Sequence, residues 1–224
     1  MRLIEFVHRK IFAIFRRRRM KTFYKLFPLN ETTRLLDIGG APNTWLDESG
    51  TGESVDWAPF AVTMVNLRYP DPAARRDWRF TPVEGDATAL PFADASFDIA
   101  FSNSVIEHMT TWERQQAFAA EARRVAGRLW IQTPARSFPL EPHLLAPFFQ
   151  YWPRGLQRRL ARNFTLWGLM VRPDDALVEE MLCDIRLLTL REMKELFPDC
   201  KILKERMLGL TKSYIAVRGV ERNA

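Results

Sequence analysis

An acid followed by two glycines is the first group of residues that could do chemistry, because this pattern can bind a nucleotide cofactor. An apolar run ends near Asp37, and Gly39 and Gly40 follow it as a turn. Glycines at the carboxyl end of a parallel strand let the backbone approach a ligand, and the next helix directs N–H groups at it. The usual three alternating glycines are broken at Ala41 and Asn43, although Asn43 can adopt the left-handed conformation of a glycine. An ordinary strand turn is therefore the alternative.

The second group of residues with chemical potential is His143 and its neighbour Glu141. A histidine, with an unperturbed pKa of about 6.5, can take a proton from a hydroxyl group near neutral pH. The carboxylate of Glu141 could fix the tautomer of His143, and His108 is a second candidate base. A lone histidine is more often structural. The histidines, which include His8, lack the HExxH type of spacing, so the sequence predicts no metal site.

Three further motifs follow one another in residues 85–98. They are Gly-Asp-Ala at 85–87, Leu-Pro-Phe at 90–92 and Ser-Phe-Asp at 96–98. With these motifs in this order, the chain resembles class I S-adenosylmethionine-dependent methyltransferases, and within them the group often labelled type 11. A narrower resemblance, to a bacterial subgroup, rests on Gly-Gly then Trp in the first loop, Asn-Leu after the second strand, and the segments 138–143 and 208–213. The resemblance covers roughly residues 30–219.

The resemblance implies S-adenosylmethionine as the cofactor and suggests which residues hold its methionine and ribose. The backbone of Asp37, Gly39, Gly40 and Ala41 would cradle the methionine portion, and the side chain of Asp37 would hold the loop or the amino group. Asn66, at the end of a good strand, is the preferred ribose ligand. Asp56 is the alternative, because it lies at the usual distance after the first strand but in a poor strand.

The adenine and the methyl group have their own implied ligands. Asp86 would accept a hydrogen bond from the adenine amine, and Ala87 would donate its backbone N–H to the ring, although Asp86 could also be a plain turn residue. Asn103 and Ser104 follow the fourth strand and would flank the transferred methyl group. Their alternative role is to cap the turn at 105–108.

These residues need a sheet to position them, and the sequence predicts one. Apolar runs of strand length alternate with helical patterns, the clearest of which is residues 111–125, and this alternation favours an α/β fold with a mainly parallel sheet. The runs lie at 34–38, 62–67, 80–84, 98–102, 129–133, 201–206 and 213–217. The resemblance adds a Rossmann-like, doubly wound, seven-stranded sheet of order 3-2-1-4-5-7-6 with the last strand antiparallel.

Residues 1–29 form a basic amphipathic N-terminal arm that precedes the methyltransferase domain at 30–220. Residues 1–27 contain nine Lys or Arg and one acid, so their net charge is +8. Because the net charge of the whole chain is +6, the remaining residues carry −2. Apolar residues share one helical face, and they are Ile4, Val7, Ile11, Ile14 and Phe15. The pattern favours contact of residues 2–21 with an anionic membrane surface. Packing of the apolar face on the domain and contact with nucleic acid are the alternatives.

A helical cap insertion is predicted at residues 136–187, where the alternation of strands and helices stops. Its prolines are followed by a basic helix with Arg158, Arg159 and Arg162. Its aromatic residues could form a lid over an elongated or lipidic acceptor, or a small satellite core, and they are Phe138, Phe148, Phe149, Tyr151 and Trp152.

The methyl acceptor is narrowed by motifs that the sequence lacks. No Asn/Asp-Pro-Pro-Tyr/Phe tetrad is present for methylation of nucleic-acid amino groups, and neither Cys183 nor Cys200 has the context for pyrimidine carbon-5 methylation. Two cysteines also favour a reducing cytoplasm. The main hypothesis is O-methylation of a glycan, glycolipid or other lipid-linked small molecule by a cytoplasmic enzyme on the inner membrane face. RNA methylation, and a catalytically degenerate, membrane-docked binding module, are the alternatives.

Overall fold

The computed structural model describes residues 2–45, 61–68, 79–141 and 143–220, with side chains from Ile14 onward. Within these residues seven strands form one sheet in the order 3-2-1-4-5-7-6. The strands are β1 (Leu35–Ile38), β2 (Val62–Asn66), β3 (Phe80–Glu84), β4 (Phe97–Asn103), β5 (Ala126–Pro134), β6 (Lys201–Met207) and β7 (Leu210–Arg218).

The strand directions confirm the predicted sheet. β1 pairs in parallel with β2 and β4, and the parallel arrangement continues outward to β3 and β5. Only β7 runs against its neighbours, β5 and β6. All four residues of β1 are buried, as expected for a central strand that has helices on both faces. The carboxyl ends of β1 to β5 therefore meet at one edge of the sheet.

Six α-helices of the described ranges accompany the sheet. They are α1 (Arg2–Leu26), α2 (Trp112–Val125), α3 (Arg154–Phe164), α4 (Leu166–Val171), α5 (Asp175–Asp184) and α6 (Leu190–Leu196). Thr111 caps α2 by accepting a hydrogen bond from the Arg114 backbone N–H at 3.2 Å. Residues of α2 and α6 pack on one face of the sheet, among them Phe118 and Met193.

The opposite face of the sheet is covered by the second half of α1. Phe23 and Phe27 are fully buried there, against Phe101 and Trp130. The sequence left packing of the arm on the domain open as an alternative, but for a different apolar face, of which Phe15 is buried and Ile14 is exposed. No helix of the described residues is long and apolar enough to cross a membrane.

The buried face of α1 differs in register from the predicted apolar face. Phe15, Arg19, Phe23 and Phe27 recur every fourth residue and are buried, whereas Ile14 is 49% exposed. Arg16, Arg17 and Arg18 face solvent. The side chains of Ile4, Val7 and Ile11 lie outside the described residues, so membrane contact of the arm stays a prediction.

The cap, residues 136–187, contains α3, α4, α5 and a 3-10 turn, Phe149–Tyr151. A satellite core forms within it around Phe149, with Trp152 packed alongside. Phe148 and Tyr151 contribute differently, because they are 56% and 52% exposed. The predicted aromatic group therefore divides between a small core and an exposed apolar surface.

Candidate cofactor and acceptor site

The loops after β1, β2 and β3 are tied together by hydrogen bonds at the carboxyl edge of the sheet. The side-chain amide of Asn66 donates from Nδ2 to the carbonyl oxygen of Gly40 at 2.7 Å. The backbone N–H of Gly39 donates to the carbonyl of Val65 at 2.8 Å, and that of Gly85 donates to Asn66 at 2.9 Å. Nδ2 of Asn66 therefore binds the glycine loop, and Oδ1 is the atom suited to accept a hydrogen bond from a ribose hydroxyl. Asp56, the alternative ribose ligand, lies outside the described residues.

The two glycines after β1 are each required by close contacts. Gly39 has φ +76°, and a Cβ there would lie 2.4 Å from Cγ2 of Val105. A Cβ on Gly40 would lie 1.8 Å from Oδ2 of Asp37. Ala41 needs no glycine, because its backbone is extended, with φ −133° and ψ 153°.

Asn43 does not adopt the left-handed conformation that the sequence suggested. It lies within the 3-10 helix Pro42–Thr44, where φ is negative. The sequence indicated only that an asparagine tolerates that conformation, and the loop does not use it, because the turn after Gly40 is completed by an extended residue and a short right-handed helix.

Asp37 is a buried acid that contacts its own loop. Its Oδ2 accepts a hydrogen bond from the indole Nε1 of Trp45 at 2.7 Å, and both residues are 1% exposed. Burial raises the pKa of Asp37 to about 7, although the Trp45 hydrogen bond opposes the shift. Two roles were suggested for Asp37, to hold the loop or to bind the amino group of the cofactor. The Trp45 hydrogen bond corresponds to the first of them.

Asp86 holds the turn after β3 and also contacts α2. Its Oδ1 accepts from the backbone N–H and the hydroxyl of Thr88, at 2.8 and 2.7 Å, and Nη2 of Arg114 lies 3.1 Å from Oδ2. The Thr88 backbone hydrogen bond, with Arg114, holds the pKa of Asp86 below its usual value. Ala87 packs against the core. The turn role and the adenine role are compatible, since the carboxylate stays charged and 36% exposed.

Asn103 and Ser104 are brought to the same edge by β4. Oδ1 of Asn103 accepts from Nη1 of Arg19 at 2.9 Å. Ser104 has φ +60° and is held by Gln132 of β5, through backbone and side chain at 3.0 Å each. Neither residue caps the following turn, whose cap position is Val105. A non-glycine residue in this conformation costs free energy and is often found at functional sites.

Arg19 is a site residue that sequence reasoning missed. It belongs to a run of four arginines at 16–19, yet it is 8% exposed and its Nε lies 3.6 Å from Oε1 of Glu205. Lys212 approaches the same carboxylate at 3.5 Å. Together with Ser104 and Gln132, Arg19 and Lys212 line a cavity of about 50 Å³. Arg19 lies four residues from both Phe15 and Phe23, and this helical spacing was the feature of the sequence that could have indicated its burial.

The two candidate bases lie beside each other, although they are distant in sequence. The rings of His108 and His143 are 5.3 Å apart and perpendicular. Nδ1 of His143 lies 2.8 Å from Oε1 of Glu141, which also accepts the backbone N–H of His143 through Oε2 at 2.8 Å. Because Glu141 is an acceptor, the proton of the neutral ring is held at Nδ1, and Nε2 is left with a lone pair.

The charges around His143 favour its protonated form. Burial lowers the pKa of His143, but the hydrogen bond and charge of Glu141, with the charges of Glu107 and Asp184, outweigh it and raise the pKa above its usual value. His108 has a carboxylate partner of its own, Asp184, whose Oδ2 lies 2.8 Å from Nδ1.

A larger cavity, of about 260 Å³, is lined by residues of the cap, from Arg136 to Leu187. Glu141 is in its lining, and so are the guanidinium-bearing residues Arg136, Arg154 and Arg186. The remaining lining is largely apolar, with Leu144, Phe149, Trp152, Met181, Leu182, Ile185 and Leu187. The cavity suits a molecule that has both an apolar part and an anionic or polar part.

A sequence profile described as a methyltransferase domain matches residues 36–128, the part of the chain that carries the glycine loop, Asn66, Asp86 and Asn103. Over that segment the chain is similar to the methyltransferase domain family, and the strand order above is the one expected of the class I S-adenosylmethionine-dependent methyltransferase fold. S-adenosylmethionine is the cofactor of that class. No curated protein sequence matches the chain significantly.

Solved structures share the fold at low sequence identity. Phosphoethanolamine N-methyltransferase 2 of Haemonchus contortus, solved with S-adenosylhomocysteine, has a TM-score of 0.53 and 16% identity over 84% of this chain and 38% of its own. The PH0226 protein of Pyrococcus horikoshii has a TM-score of 0.52 and 16% identity, over 90% of this chain and 87% of its own. The cyclase SpnF has a TM-score of 0.51 and 16% identity, over 83% of this chain and 58% of its own. The chain thus spans less than two thirds of the length of two of these proteins, and a cyclase among them shows that this fold alone does not define the reaction.

Proposed function

We propose that this methyltransferase transfers the methyl group to a hydroxyl oxygen of a glycan, glycolipid or other lipid-linked small molecule. The observation that carries the proposal is the Glu141–His143 pair, joined at 2.8 Å, in which Glu141 also lines the larger cavity of the cap. A base of this kind is needed for a hydroxyl acceptor, whose proton must leave as the new bond forms.

Different site residues would have different roles in the methyl transfer. S-adenosylmethionine supplies a methyl group bonded to a positively charged sulfur. Asp37, Gly40 and Asn66 would orient it through the glycine loop, and Asn103 and Ser104 would flank the methyl carbon. His143 would accept the hydroxyl proton at Nε2 while the acceptor oxygen bonds to the methyl carbon and the carbon–sulfur bond breaks. The sulfur leaves as a neutral thioether, so charge and atoms balance.

The lipid-linked acceptor is supported by the exposed surface of α1 and the cap. Arg16, Arg17 and Arg18 face solvent on α1. The cap exposes large apolar side chains, including Phe148 at 56% and Phe164 at 66%. Basic and apolar groups together favour binding at an anionic membrane surface. We propose that the arm holds the enzyme at the cytoplasmic face of a membrane, where a lipid-linked acceptor is found.

The test is to incubate the purified full chain with methyl-labelled S-adenosylmethionine and separate lipid, glycan and RNA fractions. We expect label in a lipid or glycan product, and loss of that label in the His143→Ala variant with cofactor binding retained in calorimetry. His8→Ala is the matched histidine control, assayed on the detergent-extracted acceptor so that the arm is not needed.

Other outcomes would overturn the proposal. Label confined to RNA would support nucleic-acid methylation, and binding of the cofactor with no labelled product in any fraction would support a catalytically degenerate binding module. A His143→Ala variant as active as the wild type would remove the base from the mechanism.

A further inference from the structure

The fold brings together three metal-ligating side chains whose linear spacing predicts no metal site. One ligand atom from each of Glu107, His108 and His143 lies within 4.8 Å of the others. Glu107 and His108 lie in the 3-10 turn Ile106–His108 after β4, and His143 comes from the cap. We propose that these three residues bind one divalent transition-metal ion of the Zn²⁺ type.

The histidines are oriented as ligands usually are. Nδ1 of His108 lies 2.8 Å from the carboxylate of Asp184, and Nδ1 of His143 lies 2.8 Å from that of Glu141. In protein metal sites the ligating histidine nearly always gives its other ring N–H to a carboxylate or carbonyl, which fixes the ring and makes the ligating nitrogen more basic. Because Nδ1 of each ring contacts a carboxylate, Nε2 is the nitrogen that each histidine has left to bind an ion.

Glu107 supplies the independent reason to expect a cation. It is 0% exposed, and its Oε2 accepts from the hydroxyl of Thr133 at 3.0 Å. Its Oε1 is buried and has no hydrogen-bond partner among the described residues. No Lys or Arg of the described chain forms an ion pair with it. A buried carboxylate oxygen without a partner is costly, and a bound cation would remove that cost.

The ligand set points to the kind of ion. Two imidazoles and one carboxylate suit Zn²⁺, Co²⁺, Fe²⁺ or Mn²⁺ better than Mg²⁺ or Ca²⁺, which prefer oxygen ligands. Three protein ligands leave at least one coordination position for water or a substrate oxygen. His108 and His143 are 35% and 22% exposed at their side chains, so an ion can enter.

The role of the ion rests on the proposed O-methylation. An acceptor hydroxyl that binds at the open position would have its pKa lowered by the ion and would lose its proton to solvent. His143 would then be a ligand through Nε2 and could not also be the base. The two ways of activating the acceptor therefore exclude each other, and an experiment separates them.

The binding test uses the full chain, freed of metal by a chelator and titrated with Zn²⁺ in calorimetry. We expect one ion per chain, with an affinity at least tenfold weaker in His108→Ala and in Glu107→Gln. Asp184→Asn should weaken binding by about 10–100-fold, since it removes a carboxylate that orients His108 without being a ligand. Asp199→Asn, on the surface near Arg218, is the control and should not change binding.

Circular dichroism checks that each variant folds. If Glu107→Gln does not fold, the conclusion is drawn from His108→Ala, whose side chain is partly exposed in the wild type. Absence of stoichiometric binding, or equal binding in the wild type and folded His108→Ala, would overturn the site. Cofactor binding measured on the same metal-free sample keeps this result separate from the methyltransferase proposal. Full methyl transfer by the metal-free enzyme would overturn the role of the ion and leave His143 as the base.

Discussion

The indole Nε1 of Trp45 donates a hydrogen bond to Oδ2 of Asp37 at 2.7 Å, and both side chains are almost fully buried. This contact closes the loop after β1 on itself. It also explains why Gly40 is required, because a Cβ at that position would occupy the space of the Asp37 carboxyl group.

The Trp45→Phe variant should destabilise the protein through this hydrogen bond. Trp130→Phe is a matched control, because Trp130 is fully buried but its Nε1 has no partner among the described residues. Both variants remove a similar volume, so the hydrogen bond is the difference between them. We expect Trp45→Phe to lose about 1–3 kcal/mol more than Trp130→Phe in urea unfolding. Equal losses would mean that the Asp37 contact adds nothing to stability.

The pH dependence of stability should carry the signature of Asp37. Its pKa is near 7 in the folded protein against 3.8 as the ordinary value, so the folded state holds the proton more tightly. The stabilisation is complete below about pH 4 and is lost as pH rises through 7, by no more than about 4 kcal/mol. Asp37→Asn can still accept from Trp45 and removes the titration. The difference in unfolding free energy between wild type and variant should therefore change between pH 4 and 7, and parallel pH profiles would contradict the assignment.

Gly40→Ala should damage cofactor binding through a clash rather than through loss of any contact. The new Cβ would lie 1.8 Å from the Asp37 carboxyl group, so the loop must move. We expect at least a tenfold loss of S-adenosylmethionine affinity in calorimetry. Gly127→Ala, where a Cβ meets nothing within 4 Å, should bind the cofactor normally. Normal binding by Gly40→Ala would mean that the loop is not part of the cofactor site.

Asp86→Ala tests the adenine contact. Removing a charged acceptor should weaken S-adenosylmethionine binding by roughly 1–3 kcal/mol, about 5- to 150-fold. Asp94→Ala is the control, since Asp94 is an 82% exposed acid in the segment after the same motif. If both variants bind the cofactor as the wild type does, Asp86 serves only to hold its turn with Thr88.

Arg19→Ala should loosen α1 from the sheet. The change removes a buried cation that contacts Asn103 and Glu205. Breaking a buried pair is strongly destabilising, but Glu205 keeps Ser213 at 2.5 Å, so we expect a loss of about 3 kcal/mol in urea unfolding. Arg17→Ala, on the exposed face, should stay within about 0.5 kcal/mol of the wild type. A matching small effect for both would show that α1 does not depend on Arg19.

The sheet and the glycine loop could be predicted because they depend on local patterns. Apolar runs and turn residues mark strands such as β1 and β4 without reference to the rest of the chain, and the resemblance then supplied their order. The preference for Asn66 over Asp56 as the ribose ligand came from strand quality and stays a prediction; the structure places Nδ2 of Asn66 2.7 Å from the carbonyl oxygen of Gly40.

The contacts between distant segments could not be predicted. Arg19 reaches Asn103 across 84 residues, and a basic residue in a basic run gives no sign that it will be buried. His108 and His143 meet ring to ring only because the cap folds back over the end of β4.

The sequence by itself determined that this protein has a parallel sheet with a glycine turn at its edge and the motifs of a methyltransferase, because strand periodicity and turn chemistry act over a few residues. Only the tertiary structure decided what surrounds the reaction site. Burial of α1 turned a solvated-looking arginine into a neighbour of Asn103. Packing of the cap placed His143 beside His108 and the buried Glu107, and these contacts depend on free energies of burial that no short segment carries.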